Sequence, residues 1–252
     1  MNEINPYQAS TYDRPMSPIG QGAIPALKQA AETFAANWMP ICGFMFLVWA
    51  PIDLLSCYAD DHFFGEEDYL RSMRFSLSLS NFFGIIATGG IVAVAKEYSD
   101  YNESSFVTAL GTSVGLWPKI FWTNFVSSLF VMLGFICFVV PGLMAMIFLS
   151  LLIPIIVCEN QYGIAACKRS YELTRGNAGQ ILWIAVAFLL LFILWFVVLG
   201  IREVFAPDWN HWALTAIVEF PLNIVSALMH LSFFAFYRQT VAISSQRLVS
   251  MT

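Results

Sequence analysis

The chain has 252 residues, of which 58% are hydrophobic, 16% aromatic and only 12% charged, with a net charge of −5. An ordinary soluble domain is about half apolar and about a quarter charged, so this composition leaves too little polar area to cover a soluble globule. The negative net charge, without a basic stripe, argues against a nucleic-acid partner. We predict an all-α membrane protein with several transmembrane helices.

The first segment, residues 1–22, contains three prolines among Ser, Gln and Gly residues. Such a segment buries too little apolar area to offset the entropy lost on ordering. We predict a disordered tail over 1–22, one membrane domain over 23–240 and a short second tail over 241–252. The first tail lacks the basic and apolar regions of a signal peptide. The five cysteines form no Cys-x-x-Cys pair, so no metal or cofactor is expected.

Six apolar runs follow the first tail. A transmembrane helix needs about 20 mostly apolar residues, and five of the runs have that length. A shorter run comes directly after Pro141-Gly142, a strong turn signal, so we predict a tight hairpin there and three hairpins in total. The fifth run has no polar side chain except Trp indoles, and we expect it to face lipid. The predicted spans are Trp38–Cys57, Phe75–Ala95, Ile120–Val140, Gly142–Val157, Ile181–Ile201 and Ala213–Phe236.

The Lys and Arg residues are distributed unequally between the two sides of this arrangement. Nine of the twelve fall on the side that carries both termini. The positive-inside rule therefore predicts cytoplasmic termini. The three on the other side are Arg71, Arg74 and Arg202, among acidic loops.

A short amphipathic stretch precedes each predicted hairpin, and we expect these stretches to lie in the headgroup plane with their apolar sides down. In the third stretch, Lys168, Glu172 and Arg175 lie opposite Ile164 and Leu173. The apolar faces predicted for the first two are Ile24, Leu27, Ala31 and Phe34, and Phe106, Leu110, Val114 and Trp117.

A polar stripe runs along the last predicted span. Its members are spaced so that they share one narrow face of a helix. Asp53 of the first span lies at a depth similar to that of Glu219, the first member of the stripe. Ionisable groups within a span are costly, so the stripe should face the bundle interior or water. A functional stripe would serve as a proton or cation path or as a polar headgroup site, whereas a structural stripe would hold the bundle by interhelical hydrogen bonds. Transport predicts a wet cavity, and the structural interpretation predicts a dry, paired core. The stripe consists of Glu219, Asn223, Ser226 and His230.

From Pro141 onward the chain carries a distinctive series: Pro141-Gly142, Pro154, Glu159, Ala165-Ala166, Arg169-Ser170, Leu173-Thr174 and Gly176. This series resembles a family of six-span bacterial membrane proteins, namely the membrane domain found ahead of some glycerophosphoryl diester phosphodiesterases and its stand-alone relatives. The segment after Phe236 is too short for a catalytic barrel. The resemblance therefore implies a membrane module of the bacterial inner membrane, without the hydrolase.

Within the same region, Glu159 closes the short span next to Lys168, Arg169 and Arg175. A carboxylate at this boundary can be held by Arg169 or by amides at the start of the next helix, which predicts a structural clamp. The alternative is that the basic cluster binds anionic lipid headgroups.

Two functional hypotheses follow. The first is a non-enzymatic membrane module that organises or senses lipid, or a membrane or cytoplasmic partner protein. The second is a small transporter that uses the Glu219 stripe. Intramembrane hydrolysis is disfavoured because the sequence places no histidine near a candidate nucleophile.

Overall fold

The structure is a computed structural model that describes residues 22–64, 68–205 and 212–249. Residues 1–21 of the tail predicted over 1–22 lie outside the described residues, as do the side chains of residues 69, 202–205, 212–219 and 244–249. Every regular element in the described ranges is helical, which confirms the all-α prediction. In chain order the helices are α1 (Ala23–Ala36), α2 (Trp38–Phe44), a π turn (Met45–Trp49), α3 (Ala50–Phe63), α4 (Tyr69–Phe82), α5 (Gly84–Tyr101), α6 (Phe106–Cys137), α7 (Val139–Phe148), α8 (Leu152–Glu159), α9 (Ile164–Thr174), α10 (Ala178–Phe205) and α11 (Trp212–Val249).

Six helical segments are long and apolar enough to cross a membrane, as the sequence predicts. Most of them extend beyond the predicted runs, because backbone hydrogen bonds can continue a helix past the point where its apolar residues end. The second tail, predicted to begin at 241, is helical as far as Val249. The segments are Trp38–Phe63, Leu70–Tyr101, Phe106–Cys137, Val139–Glu159, Ala178–Ile201 and Phe220–Ile243.

The bend of the second predicted hairpin, between the third and fourth spans, is displaced in the structure. The chain reverses at the extended residue Phe138, and Pro141-Gly142 lie in the first turn of α7. Proline is tolerated there because the missing N–H has no intrahelical partner in a first turn. Gly142 instead serves close packing, since a Cβ built on Gly134 would lie 2.9 Å from the Gly142 Cα.

The amphipathic stretches are also organised differently from the prediction. The second is continuous with the third span in α6, so it is not a separate helix. In α1 the face buried against the other helices consists of Ala23, Ala26 and Ala30, whereas Ile24, expected on the face towards lipid, is 80% exposed. Small residues let α1 approach its neighbours closely, and this packing decides the buried face. The third stretch forms the separate helix α9.

The interior of the bundle is built around α5 and α8. Phe44 from α2 packs on Gly90 of α5, where any Cβ would overlap its ring. The apolar residues of α10 mostly point outward, as expected for a lipid-facing span. Helices α5 and α8 end, and α9 begins, at one end of the bundle, which also holds Lys96, Arg169 and Arg238. We call it the basic end.

Candidate functional site

The predicted polar stripe makes one interhelical hydrogen bond among the described residues. Asn223 of α11 donates through Nδ2 to Oδ2 of Asp53 on α3, at 2.7 Å. Both side chains are half-buried. The structure thus brings Asp53, which the sequence placed only at a similar depth, into direct contact with the stripe, and this is the kind of pairing that holds helices together.

The remaining stripe residues do not join this pair. Ser226 and His230 are half-buried further along α11, and neither joins a side-chain hydrogen bond in the part of the chain that the structure describes. Glu219 lies in α11, but its side chain is outside the described residues. Within those residues, no group of three metal-ligating side chains is brought together.

The predicted clamp between Glu159 and Arg169 is present. Arg169 of α9 donates through Nε to both carboxylate oxygens of Glu159, at 3.0 and 3.2 Å. The Tyr237 hydroxyl of α11 donates to the same carboxylate at 3.0 Å. Glu159 thus joins the end of α8 to both α9 and α11, one helix more than the sequence predicts.

Replacing Glu159 with Ala is expected to lower the free energy of unfolding by about 1–2 kcal/mol, because Arg169 and Tyr237 both lose an acceptor. Arg169→Ala should have a similar effect. In a double-mutant cycle measured by unfolding in detergent, the double variant should be less destabilised than the sum of the single variants. Additive losses would show that the two residues are uncoupled.

Three consecutive residues of α11 each reach a different helix. Besides the Tyr237 contact with α8, Arg238 forms an ion pair with Asp100 of α5 at 3.2 Å, with the two side chains only 10% and 7% exposed. Gln239 accepts the backbone N–H of Gly22, just before α1. Consecutive residues of a helix point about 100° apart, so only a helix surrounded by neighbours can do this. We call Tyr237-Arg238-Gln239 the α11 triplet.

Further polar contacts close the basic end around the triplet. Lys96 of α5 donates to the Val157 carbonyl of α8 at 3.1 Å. The Ala23 N–H of α1 is accepted by Gln180 of α10 at 3.0 Å. Together with the triplet, these bonds join α1, α5, α8, α9, α10 and α11 into one network. The sequence analysis missed this network apart from Glu159 and Arg169.

The other predicted cluster residues, Lys168 and Arg175, do not contact Glu159. They are exposed on α9, and with Ile164 and Tyr171 they repeat at intervals of four, three and four residues. This spacing places all four on one face of the helix, so the expectation that Ile164 lies opposite Lys168 and Arg175 was wrong. We call this face the outer stripe of α9. On the opposite face, burial raises the pKa of the Cys167 thiol, which keeps it protonated and poorly reactive.

Comparison with known proteins identifies relatives but no structural precedent. The family model described as "Uncharacterised protein family (UPF0259)" matches residues 68–239, which include the α11 triplet and Glu159 but not Asp53. The chain is 36% identical over 116 residues to the UPF0259 membrane protein of Yersinia pestis (strain Pestoides F), covering 44% of this chain and 45% of that protein. The same values hold for the protein of Yersinia pseudotuberculosis serotype O:1b (strain IP 31758). The matched segment thus spans less than half of these relatives. No solved structure matches.

Proposed function

We propose, from the premise that this chain belongs to the UPF0259 family of membrane proteins, that it is a non-enzymatic membrane module that senses or organises anionic lipid. The observation that carries the proposal is the outer stripe of α9. On it, Lys168 and Arg175 alternate with Ile164 and Tyr171, and all four are exposed. A helix outside the spans that presents basic and apolar residues together suits the surface of an anionic bilayer.

The orientation of this stripe is determined by contacts on the other side of α9. Arg169 is held by Glu159, and the Ser170 hydroxyl donates to the Phe148 carbonyl at 2.6 Å. Ala166 and Leu173 are buried against the neighbouring helices. Because these contacts fix the helix, Lys168 and Arg175 are presented outward at little further entropic cost. The clamp and lipid recognition therefore act together and are not alternatives.

The location of the basic end supports the same proposal. The excess of Lys and Arg on that side favours the cytoplasmic face of a bacterial inner membrane. Each basic residue close to an anionic surface contributes about 1 kcal/mol of attraction. The resemblance to the membrane domain of glycerophosphoryl diester phosphodiesterases stays a prediction, and it implies a membrane module without the hydrolase.

Removing both exposed charges, in a Lys168→Gln, Arg175→Gln variant, is expected to weaken the preference for anionic lipid about fivefold per charge. The measurement is the relative association of spin-labelled phosphatidylglycerol and phosphatidylcholine with the full chain in mixed vesicles. Lys28→Gln is the matched control, because Lys28 of α1 is also exposed but lies outside the stripe. An unchanged preference in the double variant, or an equal loss in the control, would contradict the proposal.

A further inference from the structure

Another basic residue of the basic end, Lys119, lies on α6. It follows Pro118 within α6 and belongs to the segment Phe106–Cys137 that can cross the membrane. A charge within a span is costly unless it is paired or reaches the headgroups. The surroundings of Lys119 therefore indicate what compensates its charge.

The Lys119 ammonium is fixed by the loop between α8 and α9. Its Nζ donates to Oδ1 of Asn160 at 2.7 Å and lies 5.6 Å from the centre of the Tyr162 ring, within cation–π distance. Asn160 adopts a left-handed conformation, with φ of 55°, which ends α8 and turns the chain towards α6. The Gly163 N–H donates to the buried Thr123 hydroxyl of α6 at 2.7 Å and ties the loop down.

Aromatic rings flank this ammonium on the outer surface. Trp122 lies one turn after Lys119 on α6, where residues three apart are neighbours. Its indole lies next to Gly163 and stacks on Phe125, with ring centres 5.8 Å apart. Trp122, Phe125 and Tyr162 are each about half exposed. Trp and Tyr rings of this kind occur at the level of the lipid headgroups. We call Lys119, Trp122, Asn160 and Tyr162 the Lys119 niche.

The charge of the niche is not neutralised by the protein. In the ranges 22–64, 68–205 and 212–249, no carboxylate forms an ion pair with Lys119, and the nearby Glu159 is engaged by Arg169 and Tyr237. Asn160 and Tyr162 orient the ammonium but carry no opposite charge. An ordered cation on the outer surface at headgroup level, flanked by rings, is complementary to an anion carried by a lipid.

We propose that the Lys119 niche binds the phosphodiester of one phospholipid molecule. The ammonium contacts the phosphodiester, and the first carbons of the acyl chains lie along Trp122 and Phe125. The inference shares with the proposed function only the assignment of lipid as the partner. The outer stripe of α9 responds to net headgroup charge, whereas a phosphodiester is present in zwitterionic and anionic phospholipids alike. The niche therefore retains phosphatidylethanolamine as well as phosphatidylglycerol.

Native mass spectrometry of the full chain, delipidated in detergent and given either of these two lipids with the same acyl chains, tests the proposal. We expect one retained molecule of either lipid and about tenfold weaker retention in Lys119→Met, since a charge-assisted hydrogen bond is lost. Lys28→Met is the matched control and should retain lipid normally, because Lys28 is exposed on α1 and belongs neither to the niche nor to the outer stripe of α9. Equal retention by Lys119→Met and the wild type would overturn the niche without affecting the stripe, whose test uses other residues.

Two further measurements keep the test decisive. If Lys119→Met does not fold, Trp122→Leu, which replaces a half-exposed ring of the niche and leaves the ammonium in place, should weaken retention, and normal retention would overturn the proposal. Inorganic phosphate added at millimolar concentration should not displace the lipid. Displacement by phosphate alone would show that the niche takes a free anion and that the assignment to a phospholipid is wrong.

Discussion

Asp100→Asn is expected to lower the free energy of unfolding by about 3–5 kcal/mol, because it leaves the Arg238 guanidinium buried without its carboxylate. The two side chains are 3.2 Å apart and almost completely buried. Thermal unfolding in detergent should show a decrease of the order of 10 °C.

A variant without either charge separates the destabilisation caused by an unpaired Arg238 from the stabilisation that the ion pair itself provides. Asp100→Leu combined with Arg238→Met removes both charges and keeps much of the side-chain volume. Replacing a buried pair by apolar residues is often neutral, so this variant should be close to the wild type in stability. A double variant as unstable as Asp100→Asn would show that the ion pair itself stabilises the bundle.

Gly134→Leu is expected to destabilise the α6–α7 hairpin by about 3 kcal/mol, since overpacking at a rigid contact forces the backbones apart. The atoms nearest to a Cβ at Gly134 are backbone atoms of Gly142 and Pro141, at 2.9–3.1 Å, which cannot move aside as a side chain can. Unfolding in detergent measures the effect. Gly200→Leu in α10 is the control, because a Cβ there meets no atom within 4 Å. Equal stability of the two variants would refute the close contact.

The spans could be predicted from the sequence because hydrophobic run length depends only on local composition. The Glu159–Arg169 pair could be predicted as well, since the two residues are ten positions apart across one short loop. The Arg238–Asp100 pair joins residues 138 positions apart, and Lys119 reaches Asn160 across 41. Packing decides which helices become neighbours, and no local pattern of charges predicts these long-range pairs.

Two features of the bundle depend on small residues in a way that hydrophobicity and turn propensity do not reveal. The prediction placed larger apolar residues of α1 towards lipid and a turn at Pro141-Gly142, and it did not identify the alanines and glycines that make close contacts. In the structure, Ala26 and Ala30 are buried and Ile24 is exposed, while Gly142 is used for close approach and not for a turn. Small residues in a membrane bundle mark where backbones meet, because lipid already satisfies the larger apolar side chains.

The α11 triplet has a consequence for the order in which the protein is made. A ribosome synthesises Asp100 and Glu159 well before Arg238 and Tyr237, the partners that reach them from α11. During that interval the earlier helices enter the membrane with these carboxylates lacking their final contacts. Bonds between α5, α8 and α9 can form earlier, but the contacts of the α11 triplet with α5, α8 and the start of α1 form only when α11 arrives. Completion of the chain, and not insertion of the first hairpins, is the step that closes this end of the bundle.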